Sequence, residues 1–263
     1  MGENIIEIAG LRKSFDHVEV VKGVDMQVHQ GEFLTLLGPS GCGKTTTLKM
    51  INRLIQPDTG KIYLNEEDIT SKDKVELRRH IGYVIQQIGL FPNMTVAQNI
   101  CVVPKLLKYS KEQCDQIVRD MLAMVEMPYE QYANKYPSEM SGGQQQRIGI
   151  LRALAASPPI VLMDEPFSAL DPMTRRSLQQ EVKGLQQKLH KTFIFVTHDM
   201  AEALDLDLLP IEQDLSAVFC NDTGQDLHQG RFASAVLAQK GVAASALHLQ
   251  INVTQRLDAA KAL

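Results

Sequence analysis

The fold is decided by a short stretch that consists of Gly38, Pro39, Ser40, Gly41, Cys42, Gly43, Lys44, Thr45 and Thr46. It matches the spacing G-x-x-x-x-G-K-[ST], which is typical of loops that bind phosphate groups. The apolar run at residues 33–37 predicts a buried strand before the loop, and residues 46–54 predict a helix after it. A strand, a glycine-rich loop and a helix in this order indicate an α/β fold with a phosphate site.

The residue types of this loop explain how it would hold a nucleotide. Glycine allows the backbone to come close to an anion, and backbone N–H groups at a helix N-terminus favour negative charge. We predict that Lys44 reaches the β- and γ-phosphates and that the Thr45 hydroxyl is a ligand of Mg²⁺. The loop binds through backbone groups, so the thiol of Cys42 is not required.

Composition limits the class of protein. The chain has 263 residues, of which 44% are hydrophobic and 22% are charged, as in an ordinary soluble globular protein. The formal net charge of −4 gives no overall attraction to nucleic acid. The sequence has no apolar run of the roughly 18 residues that cross a bilayer, and its polar first residues are not typical of a signal peptide. We therefore expect that another subunit would hold this chain at any membrane where it acts.

Cysteine usage favours a reducing compartment. The four cysteines are widely separated and lack the spacing of a metal site. We interpret them as reduced cytoplasmic thiols, and they are Cys42, Cys101, Cys114 and Cys220.

Two smaller regions accompany the expected α/β core. Residues 3–31 alternate loosely between apolar and polar side chains, which predicts short antiparallel strands with a turn near Asp16. Residues 96–157 are more polar and have helical spacing, and Thr95 is placed to cap the first helix. We therefore expect an antiparallel β subdomain, and an α-helical subdomain at about residues 88–157.

The aromatic residue Phe15 lies at the predicted turn, upstream of the phosphate loop. It could stack on a nucleotide base, or it could pack in the core. The pattern alone favours the core, because most Phe side chains are buried.

Polar residues follow three of the predicted strands, and they are Gln86, Asp164, Glu165 and His198. In parallel α/β sheets, ligands bind beyond the carboxyl ends of the strands, so we expect these residues and the loop to converge. Asp164 could hold Mg²⁺, and Glu165 could act as the base towards an attacking water. The alternative for the two carboxylates is a solvated acidic turn, and a lone His such as His198 is most often a surface or core residue.

A second glycine-containing motif consists of Ser141, Gly142, Gly143 and Gln144, and a strongly helical segment follows from Gln145. Backbone N–H groups again meet a helix N-terminus there, which predicts a second anion site. The alternative is an ordinary helix start with a serine cap.

Together, these motifs resemble one family, the ATP-binding cassette (ABC) ATPases. The resemblance extends from about Ile5 to Leu204. It rests on the order and spacing of Gly38–Thr46, Gln86, Met140–Gln144, Asp164 with Glu165, Ser168–Asp171 and His198. The family usually has Leu where this chain has Met140, a change that conserves volume. The resemblance implies a P-loop NTPase core of the ABC ATPase type, and it places Phe15 at the adenine-stacking position.

The resemblance also implies a mechanism that uses ATP and Mg²⁺. Two subunits would dimerise head to tail, and the stretch Met140–Gln144 of one would contact the γ-phosphate held by Lys44 of the other. Glu165 would be the catalytic base, His198 would contact the γ-phosphate, and Gln86 would contact Mg²⁺ or the attacking water. The implied partners are transmembrane permease subunits and a substrate-binding protein, with no nucleic acid. The implied location is the cytoplasmic face of the cell membrane.

Residues 81–105 resemble the bacterial branch that imports the quaternary amines glycine betaine, carnitine and choline. The solute never touches this subunit, so the resemblance alone supports this interpretation. Three alternatives remain open, namely an importer for another small solute such as an amino acid, a soluble ABC ATPase that acts on DNA or ribosomes, and an inactive product.

The family pattern stops after Leu204. Pro210 is a poor continuation of a helix, and the expected strands at residues 218–220 and 227–232 are displaced. The regulatory CBS modules of the osmoprotectant branch would not fit in the remaining length. We expect an ABC ATPase domain at residues 1–204 and an atypical tail at 205–263. The tail would be either a diverged but folded ending or the result of a frameshift, and the abrupt break favours the frameshift.

Overall fold

Two β-sheets and a group of helices make up the part of the chain that the computed structural model describes, which is residues 3–199, 202, 215–219 and 235–238. The strands are β1 (Asn4–Phe15), β2 (Val18–His29), β3 (Phe33–Leu37), β4 (Thr59–Leu64), β5 (Glu67–Asp68), β6 (Ile81–Val84), β7 (Ile160–Asp164), β8 (Thr192–Thr197), β9 (Leu215–Phe219) and β10 (Ala235–Ala238). The helices are α1 (Lys44–Ile51), α2 (Lys74–Arg79), α3 (Val96–Ile100), α4 (Val102–Leu106), α5 (Lys111–Met124), α6 (Tyr129–Tyr132), α7 (Gly142–Leu154) and α8 (Pro172–Leu189).

The antiparallel sheet has the strand order β2-β1-β4-β5. Strands β1 and β2 are joined by Asp16 and His17, which have the positive φ values of 48° and 66° that tight hairpin turns require. The predicted antiparallel pairing and its turn are therefore confirmed, but each strand has 12 residues and is not short. The register shifts between Ile8 and Leu11, around Gly10. This bulge interrupts the alternation, which is why the sequence pattern indicated several short strands.

The second sheet has the order β10-β9-β3-β8-β7-β6. Its strands are parallel except for β10, which pairs antiparallel with β9. All residues of β3, β7 and β8 are buried, as central parallel strands covered on both faces require. Because the paired strands run the same way, the carboxyl ends of β3, β6, β7 and β8 meet at one edge. This edge receives the segments that follow each strand.

The core is continuous on both faces of the parallel sheet. One apolar cluster joins this sheet to α1 and to the antiparallel sheet, and it includes Leu48 and Leu162. The other cluster joins the opposite face to α3, α5, α7 and α8, and it is rich in aromatic residues. Within it, the rings of Phe33 and Phe193 stack with centroids 5.8 Å apart, and the centroids of Phe167 and Phe195 are 5.5 Å apart. Such pairs stabilise the core beyond the apolar area that they bury, and Phe167 of the second pair lies just after the carboxyl end of β7.

Two helices begin earlier than their apolar spacing predicts. Helix α1 begins at Lys44, two residues before the predicted start, and α7 begins at Gly142, three residues before its predicted start. In α7 the cause is a reciprocal cap, because Ser141 Oγ accepts from the Gln144 N–H and Gln144 Oε1 accepts from the Ser141 N–H. The cap draws two glycines into the first turn despite their low helix propensity. The predicted Thr95 cap of α3 is confirmed, with Gln98 completing the same arrangement.

The side chain of Asn99 in α3 organises the loop between β6 and α3, a role that sequence patterns did not indicate. Asn99 is fully buried. Its Oδ1 accepts from the Phe91 N–H at 2.8 Å, and its Nδ2 donates to the carbonyls of Phe91, Met94 and Thr95, each at 3.1 Å. A buried amide with these partners fixes the loop that follows Gln86.

We expect Asn99→Asp to lower the free energy of unfolding by at least about 2 kcal/mol, because a carboxylate would face three carbonyl oxygens without a donor. Urea denaturation measured at neutral pH checks this value. The matched control is Asn93→Asp in the same loop, where the side chain is exposed and the stability should change by less than about 0.5 kcal/mol. Equal effects of the two variants would contradict the role given to Asn99.

The tail that follows Leu204 is described only in part. Strand β9 overlaps the strand predicted at residues 218–220, and it pairs in parallel with β3. The strand predicted at 227–232 lies outside the described residues. Within the described residues, no helix has both the length and the apolar character needed to cross a membrane.

Candidate functional site

The glycine-rich loop connects β3 to α1 and closes around its own lysine. Lys44 is only 4% exposed, and its Nζ donates to the carbonyls of Gly38 at 2.6 Å and Pro39 at 2.8 Å. Gly43 has a φ of 100°, and a Cβ placed there would lie 2.9 Å from the carbonyl oxygen of Val20. Glycine is therefore required at this position. The result is a backbone cradle at the N-terminus of α1 with one buried ammonium group inside it, which suits a phosphate chain.

The predicted metal ligands Thr45 and Asp164 meet at the carboxyl end of β7. Thr45 Oγ1 donates to Asp164 Oδ1 at 2.6 Å, although the two residues are 119 positions apart in the chain. Asp164 is 4% exposed, and burial raises the pKa of its carboxyl group above the ordinary value, while the Thr45 hydrogen bond opposes this shift.

These two oxygen donors fit Mg²⁺, which prefers a few hard oxygen ligands from the protein and completes its shell with water and phosphate. A cation would also compensate the buried carboxylate of Asp164, whose desolvation is otherwise unfavourable. Among the described residues, no group of three or more His, Cys, Asp or Glu side chains could hold a metal by itself. The set is therefore suited to a metal shared with a phosphate ligand rather than to a metal enclosed by protein.

Three of the predicted strand-end residues come together around one carboxylate. Gln86 Nε2 donates to Glu165 Oε2 at 3.3 Å, and His198 Nδ1 lies 3.1 Å from the same oxygen. The Glu165 N–H donates to the carbonyl of Val196 at 3.0 Å, which ties the end of β7 to β8. The structure thus places Gln86, Glu165 and His198 together, beside Asp164 and the loop.

The backbone of Glu165 has a φ of 43°, which is unusual for a residue with a Cβ. The Val196 carbonyl bond described above helps to hold it there. Non-glycine residues with positive φ are found preferentially at functional sites, where the surrounding structure determines their conformation. The Glu165 side chain is 14% exposed, whereas every residue of β7 before it is buried.

The polar side chains of Ser141–Gln144 make their contacts with residues other than Gln86, Glu165 and His198. Its side-chain bonds form the helix cap, and Gln144 Nε2 donates to the hydroxyl of Tyr132 at 3.3 Å. A Cβ on Gly143 would lie 2.5 Å from Thr174 Cγ2, so the first turn of α7 packs closely on α8. Ser141 and Gly142 are exposed, which leaves the amino end of α7 open to another molecule.

Phe15 is 43% exposed at the end of β1, and Lys13 Nζ lies 5.5 Å from the centre of its ring. The core interpretation, which the sequence pattern favoured, is therefore wrong. A Phe at a tight turn has few neighbours on its outer side, and the pattern could not reveal this. The exposed ring is available for stacking, which stays a prediction.

Sequence reasoning missed Tyr83 and Arg175. The Tyr83 hydroxyl lies 3.5 Å from Asp164 Oδ2, and burial together with the nearby carboxylate raises the pKa of this tyrosine. Arg175 contacts Asp199 and Glu202, which lie close to His198 in the chain. The position of Tyr83 on β6, the strand that precedes Gln86, was a usable signal for Tyr83. No local pattern indicated Arg175, because its contacts join segments that are distant in the chain.

Three of the cysteines lie in the described residues and form no disulfide there, and they are Cys42, Cys101 and Cys114. All three are buried, which agrees with the interpretation of reduced thiols. Burial raises the pKa of Cys101 to about 12, so this thiol stays protonated at neutral pH.

Comparison with known proteins identifies the family of this chain. The family model described as ABC transporter matches residues 21–168, from β2 through the phosphate loop to the turn after β7. The chain belongs to the ABC transporter family. The family resemblance and the predicted fold class are thereby confirmed.

Two of the relatives that this ABC transporter chain matches are transport ATP-binding proteins of Bacillus subtilis. It is 62% identical over 188 residues to the choline transport ATP-binding protein OpuBA of Bacillus subtilis. It is 61% identical over 188 residues to the glycine betaine/carnitine/choline transport ATP-binding protein OpuCA of the same species. Each match covers 72% of this chain and 49% of the relative. The chain therefore spans about half the length of the curated relatives that it matches.

Solved ABC cassettes have the same fold. A dimeric post-hydrolysis structure of the ATP-binding cassette MJ0796, bound to ADP and Pi, is 34% identical with a TM-score of 0.68. That match covers 81% of this chain and 93% of the cassette. The structure of CbiO1 from Clostridium perfringens, part of the transporter complex CbiONQ, has a TM-score of 0.72 at 25% identity, covering 82% of this chain and 84% of that one.

Proposed function

We propose that this chain is the ATP-hydrolysing subunit of an ABC importer for quaternary-amine osmoprotectants. One observation supports hydrolysis above all, which is the meeting of Gln86, Glu165 and His198 beside the phosphate loop. The solute class rests on the relatives described above. Their identities of 61–62% exceed the 44% identity to a spermidine/putrescine import protein of Photobacterium profundum.

Each residue of the site has a separate role in the proposed reaction. The loop N–H groups and Lys44 bind the phosphates of ATP, and Phe15 stacks on the adenine. Thr45 and Asp164, with Gln86 at the edge, would hold Mg²⁺, which supplies neutralisation of the phosphate charge when it is bound. The Glu165 carboxylate accepts a proton from the attacking water at Oε2. Because His198 and Gln86 already contact that oxygen, they orient it.

The site needs a second copy of the chain to be complete. The exposed stretch Ser141–Gln144 lies at a helix N-terminus and makes its polar contacts away from its own phosphate loop. In a head-to-tail dimer this stretch would contact the γ-phosphate held by Lys44 of the other copy. The dimeric cassette among the solved relatives supports this arrangement.

Other subunits would connect this reaction to a solute. We propose that transmembrane permease subunits bind the chain at the cytoplasmic face of the cell membrane and that a substrate-binding protein delivers the solute. The names of the relatives, which are transport ATP-binding proteins, support this proposal.

We also propose the division into an ABC ATPase domain at residues 1–204 and an atypical tail at 205–263, with a frameshift as the favoured origin of the tail. The matches to OpuBA and OpuCA, each over 72% of the chain, support a boundary of this kind. The nucleotide sequence is the test. If no alternative reading frame after codon 204 restores the family pattern, the frameshift is excluded.

Transport of labelled choline, glycine betaine and carnitine, in cells with and without this subunit, tests the proposed function. We expect uptake of at least one of these solutes to require the subunit. Labelled spermidine is included because a polyamine importer is among the relatives. Uptake of spermidine alone would contradict the solute class, and subunit-independent uptake of all four would contradict the transport function.

A further inference from the structure

Arg175 lies in the first turn of α8, between two loops that border the hydrolysis site. Its Nη2 donates to the carbonyl of Leu170 at 3.2 Å, within the loop Ser168–Asp171. On the other side, its Nη1 donates to Asp199 Oδ2 at 3.3 Å, and its Nε lies 3.5 Å from Glu202 Oε1. One guanidinium group therefore joins the segment after β7 to the segment after β8.

The amino end of α8 by itself is unfavourable for a cation, and the carboxylates of Asp199 and Glu202 offset this effect. The amino end of a helix has a partial positive charge, so Lys and Arg are ordinarily disfavoured in its first turn. Arg175 is not needed to cap α8, because Asp171 Oδ1 already accepts from the N–H groups of Met173 and Thr174. A residue that breaks a local preference beside a candidate site, as Arg175 does one position from His198 through Asp199, indicates a function.

The contacts on the β8 side hold the backbone around His198. Thr197 Oγ1 donates to Glu202 Oε2 at 2.5 Å and accepts from the Asp199 N–H at 3.0 Å. Glu202 is 7% exposed at its side chain, and it is held by Thr197 from one side and by Arg175 from the other. The two residues that flank His198 are therefore fixed by one small network that ends at the guanidinium.

On the β7 side, the loop Ser168–Asp171 is bonded to the backbone of Glu165 and is exposed at the surface. Ser168 Oγ donates to the carbonyl of Glu165 at 3.0 Å, and the Leu170 N–H donates to the carbonyl of Phe167 at 3.1 Å. Ser168, Ala169 and Asp171 are exposed. The loop thus has one end at the reacting centre and an outer side that is open to a second copy.

We propose that Arg175 is a positioning residue that couples His198 to the loop Ser168–Asp171, so that a displacement of the histidine moves the loop. The inference rests on the proposed ATP hydrolysis and adds to it a route from the histidine to the exposed loop. Arg suits this role because its planar group donates to the Leu170 carbonyl and to Asp199 through two different nitrogens while its Nε lies beside Glu202, and the compact ammonium of Lys does not reproduce this geometry.

Hydrogen exchange without nucleotide tests the coupling directly. We expect His198→Ala to raise the exchange rates of the Ser168 and Leu170 N–H groups several-fold in the otherwise unchanged chain, because the segment after β8 loses the contact of His198 Nδ1 with Glu165 Oε2 and Arg175 transmits the loosening to the loop. In the Arg175→Ala background, His198→Ala should leave these rates unchanged. An equal response in both backgrounds would overturn the proposal. The matched control background is Arg176→Ala, a change at an exposed residue next to Arg175 on α8. In this background, His198→Ala should still raise the exchange rates in full.

Kinetics separates positioning from a general loss of structure. We expect Arg175→Ala to lower kcat about tenfold and to change KM for MgATP by less than about twofold, because the phosphate loop is intact. Arg175→Lys should recover only part of kcat, and Arg176→Ala should match the unchanged chain. In the His198→Ala background, Arg175→Ala should cause no further loss of kcat, since both residues act through the same network of contacts. Fully multiplicative losses would overturn the coupling.

The two experiments fail in different ways. A chain that does not hydrolyse MgATP at all would contradict the proposed function, while the exchange rates would still report whether Arg175 couples the two loops. Normal hydrolysis with an unchanged exchange response would contradict the coupling alone.

Discussion

Glu165→Gln is expected to lower the rate of MgATP hydrolysis roughly 10²- to 10⁴-fold, because an amide cannot accept the proton of the attacking water. The substitution keeps the size of the side chain and its place between Gln86 and His198. Nucleotide affinity should change little, since the phosphate loop is not altered. Release of inorganic phosphate under steady-state conditions measures the rate, and calorimetric titration with MgATP measures the affinity.

The matched control for this variant is Glu130→Gln, because the Glu130 side chain is 80% exposed and pairs at the surface with Arg119. We expect its hydrolysis rate to equal that of the unchanged chain. Unchanged turnover in Glu165→Gln would exclude Glu165 as the base. Equal losses in both variants would show that the assay reports a general effect of removing a carboxylate.

Lys44→Ala is expected to weaken MgATP binding on the order of 10²- to 10³-fold, because removal of a buried charge partner from an ion contact costs several kcal/mol. The ammonium group of Lys44 is 4% exposed and lies against two loop carbonyls, so water replaces it poorly. Hydrolysis should fall with the affinity. Titration with a fluorescent nucleotide analogue measures the dissociation constant.

Lys61→Ala is the control for this second variant, since Lys61 is 62% exposed and pairs with Asp68 on the antiparallel sheet. Its nucleotide affinity should stay within about twofold of the unchanged chain. If Lys44→Ala kept the affinity of the control, the loop would not bind the phosphates through this lysine. Far-UV circular dichroism would show whether the loop variant is folded.

Much of the candidate site could be predicted because a parallel sheet brings its strand ends together. Asp164 ends β7, whose other residues are all apolar, and His198 follows β8, whose central residues 193–196 are apolar. Two such strands are adjacent in the sheet, so their following residues must lie close. The phosphate loop needed no long-range information, since its spacing is local.

The parts that could not be predicted depend on contacts between distant segments. The pairing of Arg175 with Glu202 joins α8 to the segment after β8, and only the fold brings them together. The burial of Asn99 follows from the packing of α3 against α7, which leaves no mark on helical spacing. Phe15 was predicted to be buried and is exposed, because the average burial of Phe is a poor guide at a turn.

The central claim is that the phosphate loop of one copy and the Ser141–Gln144 stretch of another form one ATP site. Sedimentation of the Glu165→Gln chain, with and without MgATP, tests this claim most directly, because this variant should bind ATP without consuming it. We expect a monomer without nucleotide and a dimer with MgATP, and we expect Ser141→Arg added to this variant to abolish the dimer. A chain that binds MgATP at saturation and still sediments as a monomer would contradict the claim.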